Sequence, residues 1–102
     1  MTAMTDDNNR GGRLPLEPGR LLATPGALEA LEEAGETALP YLSRHCAGDW
    51  GEVAKEDWQE NELSLREGFR ILSAYTISTG VTLWVITEAD RSATTILLPS
   101  EY

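Results

Sequence analysis

Two arginines, two carboxylates and a set of hydroxyls are placed by the sequence where they could act together. Arg70 opens an apolar stretch, and Thr87-Glu88-Ala89-Asp90-Arg91-Ser92 with Ala93-Thr94-Thr95 follows at its far end. Guanidinium groups grip phosphate oxygens through paired N–H donors, and a neighbouring hydroxyl adds a further hydrogen bond. Arg70 and Arg91, helped by Ser92 or Thr94, are therefore candidates to clamp a phosphate of RNA or of a small molecule. The acid or base for such chemistry would come from His45, Glu88 or Tyr75. Hairpin chemistry explains the same residues equally well, since Asp90 and Ser92 are ordinary turn residues and Thr94 and Thr95 ordinary strand residues.

His45 is the only histidine. Between Arg44 and Cys46, near the end of an expected helix, it is either a general base or a cap whose charged form the helix dipole favours. Cys46 beside it supplies two metal ligands at most with His45, and nothing else has ligand spacing, so no metal site and no cofactor are expected. Cys46 reads as a small core residue. The stretch Gly48-Asp49-Trp50-Gly51 reads as a tight turn in which the aspartate caps the next helix and Trp50, with Trp58, anchors that helix on a sheet.

The formal charge of −9 and pI near 4.4 disfavour a non-specific nucleic-acid binder and favour basic partners. The charge is polarised. From Gly26 to Glu67, 11 acidic residues stand against three basic ones, a net of −8, whereas Gly68 to Tyr102 nets −1. This is either a solvated helical face or a surface that presents negative charge to a basic protein, in imitation of nucleic-acid phosphates. In the second case Glu56, Glu60 and Glu67, with Trp84 on the sheet, are the expected binding residues. No stretch approaches the roughly 18 apolar residues of a membrane span, the opening residues contain no apolar leader core, and the single cysteine suits a reducing compartment. A cytoplasmic protein without a membrane partner is the expectation.

The elements that must position these groups are legible in outline. Residues 1–19 combine Asp, Asn, Gly and Pro with little to bury and are expected to be a disordered tail, leaving 20–102 as one α+β domain. Arg20 to Ala23 is a short strand, and Thr24-Pro25 is an N-cap and first helical residue for a helix that Gly35 stops. Thr37 caps a second helix ending at Gly48, and a third runs from about Val53 to Glu67, stopped by Gly68. Phe69 to Leu98 alternates β-formers around Ser78-Thr79-Gly80, a three-residue hairpin loop. That loop sets Ile77 opposite Val81 and pairs Tyr75 with Leu83, Ser73 with Val85 and Ile71 with Thr87. On the other face it pairs Ala74 with Trp84, Leu72 with Ile86 and Arg70 with Glu88.

The fold expected is two or three short helices packed on a three- to four-stranded antiparallel sheet ending in a β-meander. Its core comprises Leu28, Leu31, Leu42, Trp58, Ile71, Tyr75, Leu83, Val85 and Leu97. Leu72, Trp84, Ile86, Ile96 and Leu98 then crowd the second face, to be covered by the amino-terminal segment or by a second copy in a homodimer.

GDWG in the middle and LWVITEADRSATTILLPSEY at the end resemble a family of small bacterial proteins of plasmids and integrative elements described as plasmid-related. The resemblance spans about Gly19 to Tyr102. It implies an accessory protein of a mobile element and assigns no catalytic residue; with the acidic helices and the second sheet face, the expectation is an interaction or regulatory protein that binds a host or element-encoded protein. The element order also resembles, in topology alone, RelE/ParE-like toxins and barnase-type ribonucleases, which implies the alternative of a toxin-like ribonuclease or small hydrolase.

Overall fold

The computed structural model describes residues 15–102, and the elements run β1 (Arg20–Ala23), α1 (Pro25–Ala34), α2 (Leu39–Cys46), α3 (Lys55–Glu67), β2 (Ile71–Thr76), β3 (Thr82–Thr87) and β4 (Ala93–Leu97), closed by a 3-10 turn at Pro99–Glu101. Three helices pack on a four-stranded mixed sheet, an α+β architecture. Thr24 caps α1 by accepting the Ala27 N–H on its hydroxyl at 3.2 Å, and Gly35 closes the helix in the left-handed region. The stripe Ala27, Ala30 and Leu31 faces inward, so Leu28, expected in the core, lies one residue off it and is 53% exposed. Ala38 rather than Thr37 precedes α2, with no side-chain cap. The third helix begins at Lys55 rather than Val53, because Ala54 still has extended backbone.

The expected hairpin is observed. Strands β2 and β3 are antiparallel with Ile71 opposite Thr87, Ser73 opposite Val85 and Tyr75 opposite Leu83, and Ile77 N–H donates to Val81 O at 2.9 Å. The order across the sheet is β1-β4-β3-β2, and β1 pairs with β4 in parallel, which corrects the expectation of a wholly antiparallel sheet. A parallel partner needs a long crossover, and along the chain all three helices come between β1 and the other strands. The parity of β4 also differs from expectation. Val85 faces Ile96 and Trp84 faces Leu97, so Ile96 and Leu98 belong to the helix-covered layer and Leu97 to the opposite face. Two of the five side chains that called for a covering copy are thereby removed.

The main core joins Leu31 and Leu42 to Tyr75, Ile77, Leu83, Val85 and Ile96. A second cluster gathers Leu16, Trp50 and Ile71, with Trp58 only partly buried beside it. Of the tail expected over 1–19, residues 1–14 lie outside the described residues. Leu16 is 1% exposed, its N–H bonded to Cys46 O at 3.2 Å, so the packed chain starts before Arg20.

The outer edge of β2 is sealed by hydrogen bonds from the helical half. Asn61 imitates a neighbouring strand, donating Nδ2–H to Leu72 O at 2.7 Å and accepting Leu72 N–H on Oδ1 at 3.3 Å. Next to it Trp50 O accepts from Ala74 N at 3.2 Å, Glu52 N donates to Ala74 O at 2.7 Å, and the Glu52 carboxylate takes Thr76 N and its hydroxyl. An edge strand saturated in this way cannot template another chain. Gly51 makes the approach feasible: at φ 75° its hydrogen points where a Cβ would lie 2.0 Å from Ala74 O.

Candidate functional site

Two places bring together the residues singled out in the sequence, and they differ in every physical respect. The first is buried. His45, in the last turn of α2 and 0% exposed, lies against the sheet with Nδ1 2.5 Å from Ser73 Oγ and Nε2 2.8 Å from Thr87 Oγ1. Thr87 Oγ1 is 2.7 Å from Thr94 Oγ1, which donates to Pro18 O at 2.8 Å.

The proton positions follow from that last acceptor. A carbonyl only accepts, so Thr94 donates to Pro18, Thr87 donates to Thr94, and the Thr87 oxygen is left to receive Nε2–H. Nδ1 then carries the lone pair and accepts from Ser73. The neutral Nε2–H tautomer satisfies each link from Ser73 to Pro18. Burial, with the positive charge of Arg91 second, pushes the imidazole pKa down to about 4, so His45 is neutral and not the charged helix cap. Cys46 beside it is buried and its thiol pushed up, by desolvation first and Glu17 second, which keeps it inert. Tyr75, pushed up to about 12 mainly by burial, donates its hydroxyl to Asp49 O at 2.6 Å.

The expected phosphate clamp is not assembled. Arg91, at φ 61°, spends its guanidinium on backbone carbonyls: Nη1 donates to Phe69 at 2.7 Å, Glu88 at 3.2 Å and Ala89 at 3.3 Å, and Nη2 donates to Ser64 at 2.9 Å. It holds the end of α3 to the β3–β4 turn. Ser92 closes that turn, its N–H donating to Asp90 Oδ1 at 2.9 Å, and Thr94 is buried in the histidine chain. Arg70 does not form the expected ion pair with Glu88. Its guanidinium donates to the Tyr102 hydroxyl and lies 5.4 Å from the centroid of that ring. The one ion pair among the described residues is Arg44 with Asp49 at 2.7 Å; Asp49 accepts from Gly51 N within its own turn and does not cap α3.

The second place is open. Between α3 and the uncovered face of the sheet runs a groove of about 630 Å³ lined by Asp57, Glu60, Asn61, Leu63, Ser64, Phe69, Arg70, Leu72 and Trp84. Its floor is apolar and its helical wall acidic. Three of the residues expected to function, Glu60, Arg70 and Trp84, meet here, while Glu56 and Glu67 continue the Glu60–Leu63 stripe along exposed α3. Beyond Arg70 a smaller depression of about 310 Å³ lies between Ile86, Glu88, Thr95, Leu97 and Tyr102. Tyr102 lines this smaller depression and not the groove, its ring edge-on to Trp84 at 5.6 Å.

Sequence reasoning missed Ser73 and Thr87 as the partners of His45 in the buried chain, Asp57, Leu63 and Phe69 in the groove, and Tyr102 in the smaller depression. The first two carried a signal. Both fall at inward positions of otherwise apolar strand faces, where a polar residue demands a partner. Among the described residues no three His, Cys, Asp or Glu side chains gather to hold a metal ion, and no helix is long and apolar enough to cross a membrane. No family model, no curated protein and no solved structure matches the chain.

Proposed function

We propose that the protein is a binding module that takes a basic, partly apolar segment of another protein into the groove between α3 and the open sheet face. What supports it is one observation, the combination of a Leu72, Trp84 and Phe69 floor with an Asp57 and Glu60 wall in a single open groove. Apolar floor gives affinity and carboxylates on the rim select and steer lysine and arginine. The polarised charge extends the field, since Glu56 and Glu67 lie along the same side of α3. The resemblance of GDWG and the closing strand segment to plasmid-related proteins supports a cytoplasmic setting on a bacterial mobile element, where the partner is a host or element-encoded protein.

Immobilised protein challenged with bacterial lysate at low and high salt provides the test, beside a triple charge reversal at Glu56, Glu60 and Glu67 and a Trp84→Ser variant. The expected result is a basic protein retained at low salt, released by salt, and lost from both variants. Retention indifferent to all three changes would sink the proposal.

A further inference from the structure

The sheet has two edges, and they are finished differently. Asn61, Trp50 and Glu52 occupy the outer side of β2, whereas β1, at the other end of the order, has β4 on one side alone. Arg20 N–H donates to Ser92 O at 3.0 Å and Thr24 N–H to Ile96 O at 3.0 Å, so alternation turns the N–H and C=O of Leu21 and Ala23 away from β4. Among the described residues these groups have no hydrogen-bond partner. The side chains add apolar surface. Ala23 packs against the main core, so Leu21 points to the same side of the sheet, yet Leu21 is 52% exposed; Leu22, on the other side, is 40% exposed. Leu21-Leu22-Ala23 contains no proline, lysine or inward charge of the kind that blunts an edge.

We propose that β1 pairs with β1 of a second copy, antiparallel about a two-fold axis at Leu22, joining two sheets into one. The hydrogen bonds select this register. Leu21 exchanges both its bonds with the partner's Ala23, and Ala23 with the partner's Leu21, which satisfies every outward group on both copies. Centring on Leu21 would set Ala23 against Gly19, where a φ of 66° has already left the extended region. Centring on Ala23 would set Leu21 against Pro25, which has no N–H to give. With the axis at Leu22, that side chain meets the partner's Leu22 at a non-hydrogen-bonded position, where opposed side chains lie closest.

Charge favours a copy of this chain as the occupant. Although the net charge is −9, Arg20 is the only charged residue between Glu17 and Glu29, so two acidic molecules can meet here through a segment without a carboxylate. The same register puts Arg20 opposite the partner's Thr24, whose hydroxyl donates to its own Glu101 carboxylate at 2.5 Å. Each end of the pairing thus brings a guanidinium towards a carboxylate, twice over by symmetry. A four-residue strand pairs little surface, so the dimer is weak, with a dissociation constant on the order of 100 μM.

Sedimentation equilibrium and amide NMR over the range from about 10 μM to about 1 mM test the proposal. The mass should rise from one copy to two, with concentration-dependent shifts centred on the amides of Leu21, Leu22 and Ala23. Leu22→Lys opposes two ammonium groups across the axis and should weaken association about a hundredfold. Arg20→Glu, which turns each attraction to Glu101 into repulsion, should weaken it about tenfold while keeping the wild-type thermal melt of the monomer. A single-copy mass across the whole range overturns the proposal, as does a dimer that both variants leave undiminished. Exchange-protected Leu21 and Ala23 amides in a single-copy form would assign the edge to residues 1–14 of the same chain and overturn it too. Growth beyond two copies would mean a head-to-tail contact in place of the two-fold one.

Discussion

The two faces of one sheet put their polar groups to opposite uses. On the covered face, Ser73, Thr87 and Thr94 are 0% exposed, and each finds a partner in the chain through His45. On the other face Arg70 and Glu88 share a depression without forming an ion pair, and Trp84 is half-buried. Burial decides the difference. A polar group inside the protein that lacks a partner costs about 1–3 kcal/mol, so the covered face tolerates none, whereas solvent satisfies the open one. Conserving hydrogen bonds internally makes structure; leaving them available makes a place to bind. The histidine that looks chemical in the sequence is therefore the structural one.

The largest expected contrast comes from adjacent residues of β4. Ile96→Ala, on the covered face, should lower unfolding free energy in urea by about 4 kcal/mol, and Leu97→Ala, bordering the open depression, by about 2 kcal/mol. Equal losses would mean that the faces are equally packed. Next comes pH. His45 has a folded pKa near 4 against an ordinary 6.5, so the unfolded chain binds the extra proton between those values and stability falls as pH drops from 6.5 through 4. The whole contribution is about 3 kcal/mol. Glu36, Asp49, Asp90 and Glu101, held below their usual range chiefly by hydrogen bonds from Tyr41, Arg44, Ser92 and Thr24, withdraw their stabilisation only below the ordinary carboxylate range. His45→Gln should flatten the slope above pH 4.5 and leave the acid limb; an unchanged slope would place the titration elsewhere.

Thr87→Val keeps the shape of the side chain but strands His45 Nε2–H and Thr94, for a loss of about 2 kcal/mol by the same denaturation measurement. At the small end, reversing Glu56, Glu60 and Glu67 on the exposed side of α3 should change stability by no more than about 0.5 kcal/mol, since exposed side chains away from packed contacts contribute little to folding. A large loss there would erase the distinction between the two regions.

Local chemistry explains which parts of this were legible in the sequence. Thr24, Gly35 and Gly68 announce helix ends through their own backbone and side-chain preferences, and Gly80 with strict alternation fixes the β2–β3 register. The β3–β4 turn gave no such signal. Arg91 adopts φ 61°, a conformation an arginine does not advertise, and one residue more or less in the turn exchanges Ile96 with Leu97 between faces. Leu16 between two prolines looked unpackable, but its partners Trp50 and Ile71 are far along the chain. The charge of the groove was visible in Glu60, as was its aromatic floor in Trp84. That Arg70 would turn from Glu88 to Tyr102 was not, because 32 residues separate the pair and only the fold brings them together.

The central claim, that the open face and not the covered one binds, is tested most directly by amide and indole chemical-shift mapping with the protein retained from lysate. The account predicts changes at Asp57, Glu60, Leu72 and Trp84 with the His45 and Leu31 signals unmoved. Changes confined to α1, or to the exposed β1 residues Leu21 and Leu22, would contradict it.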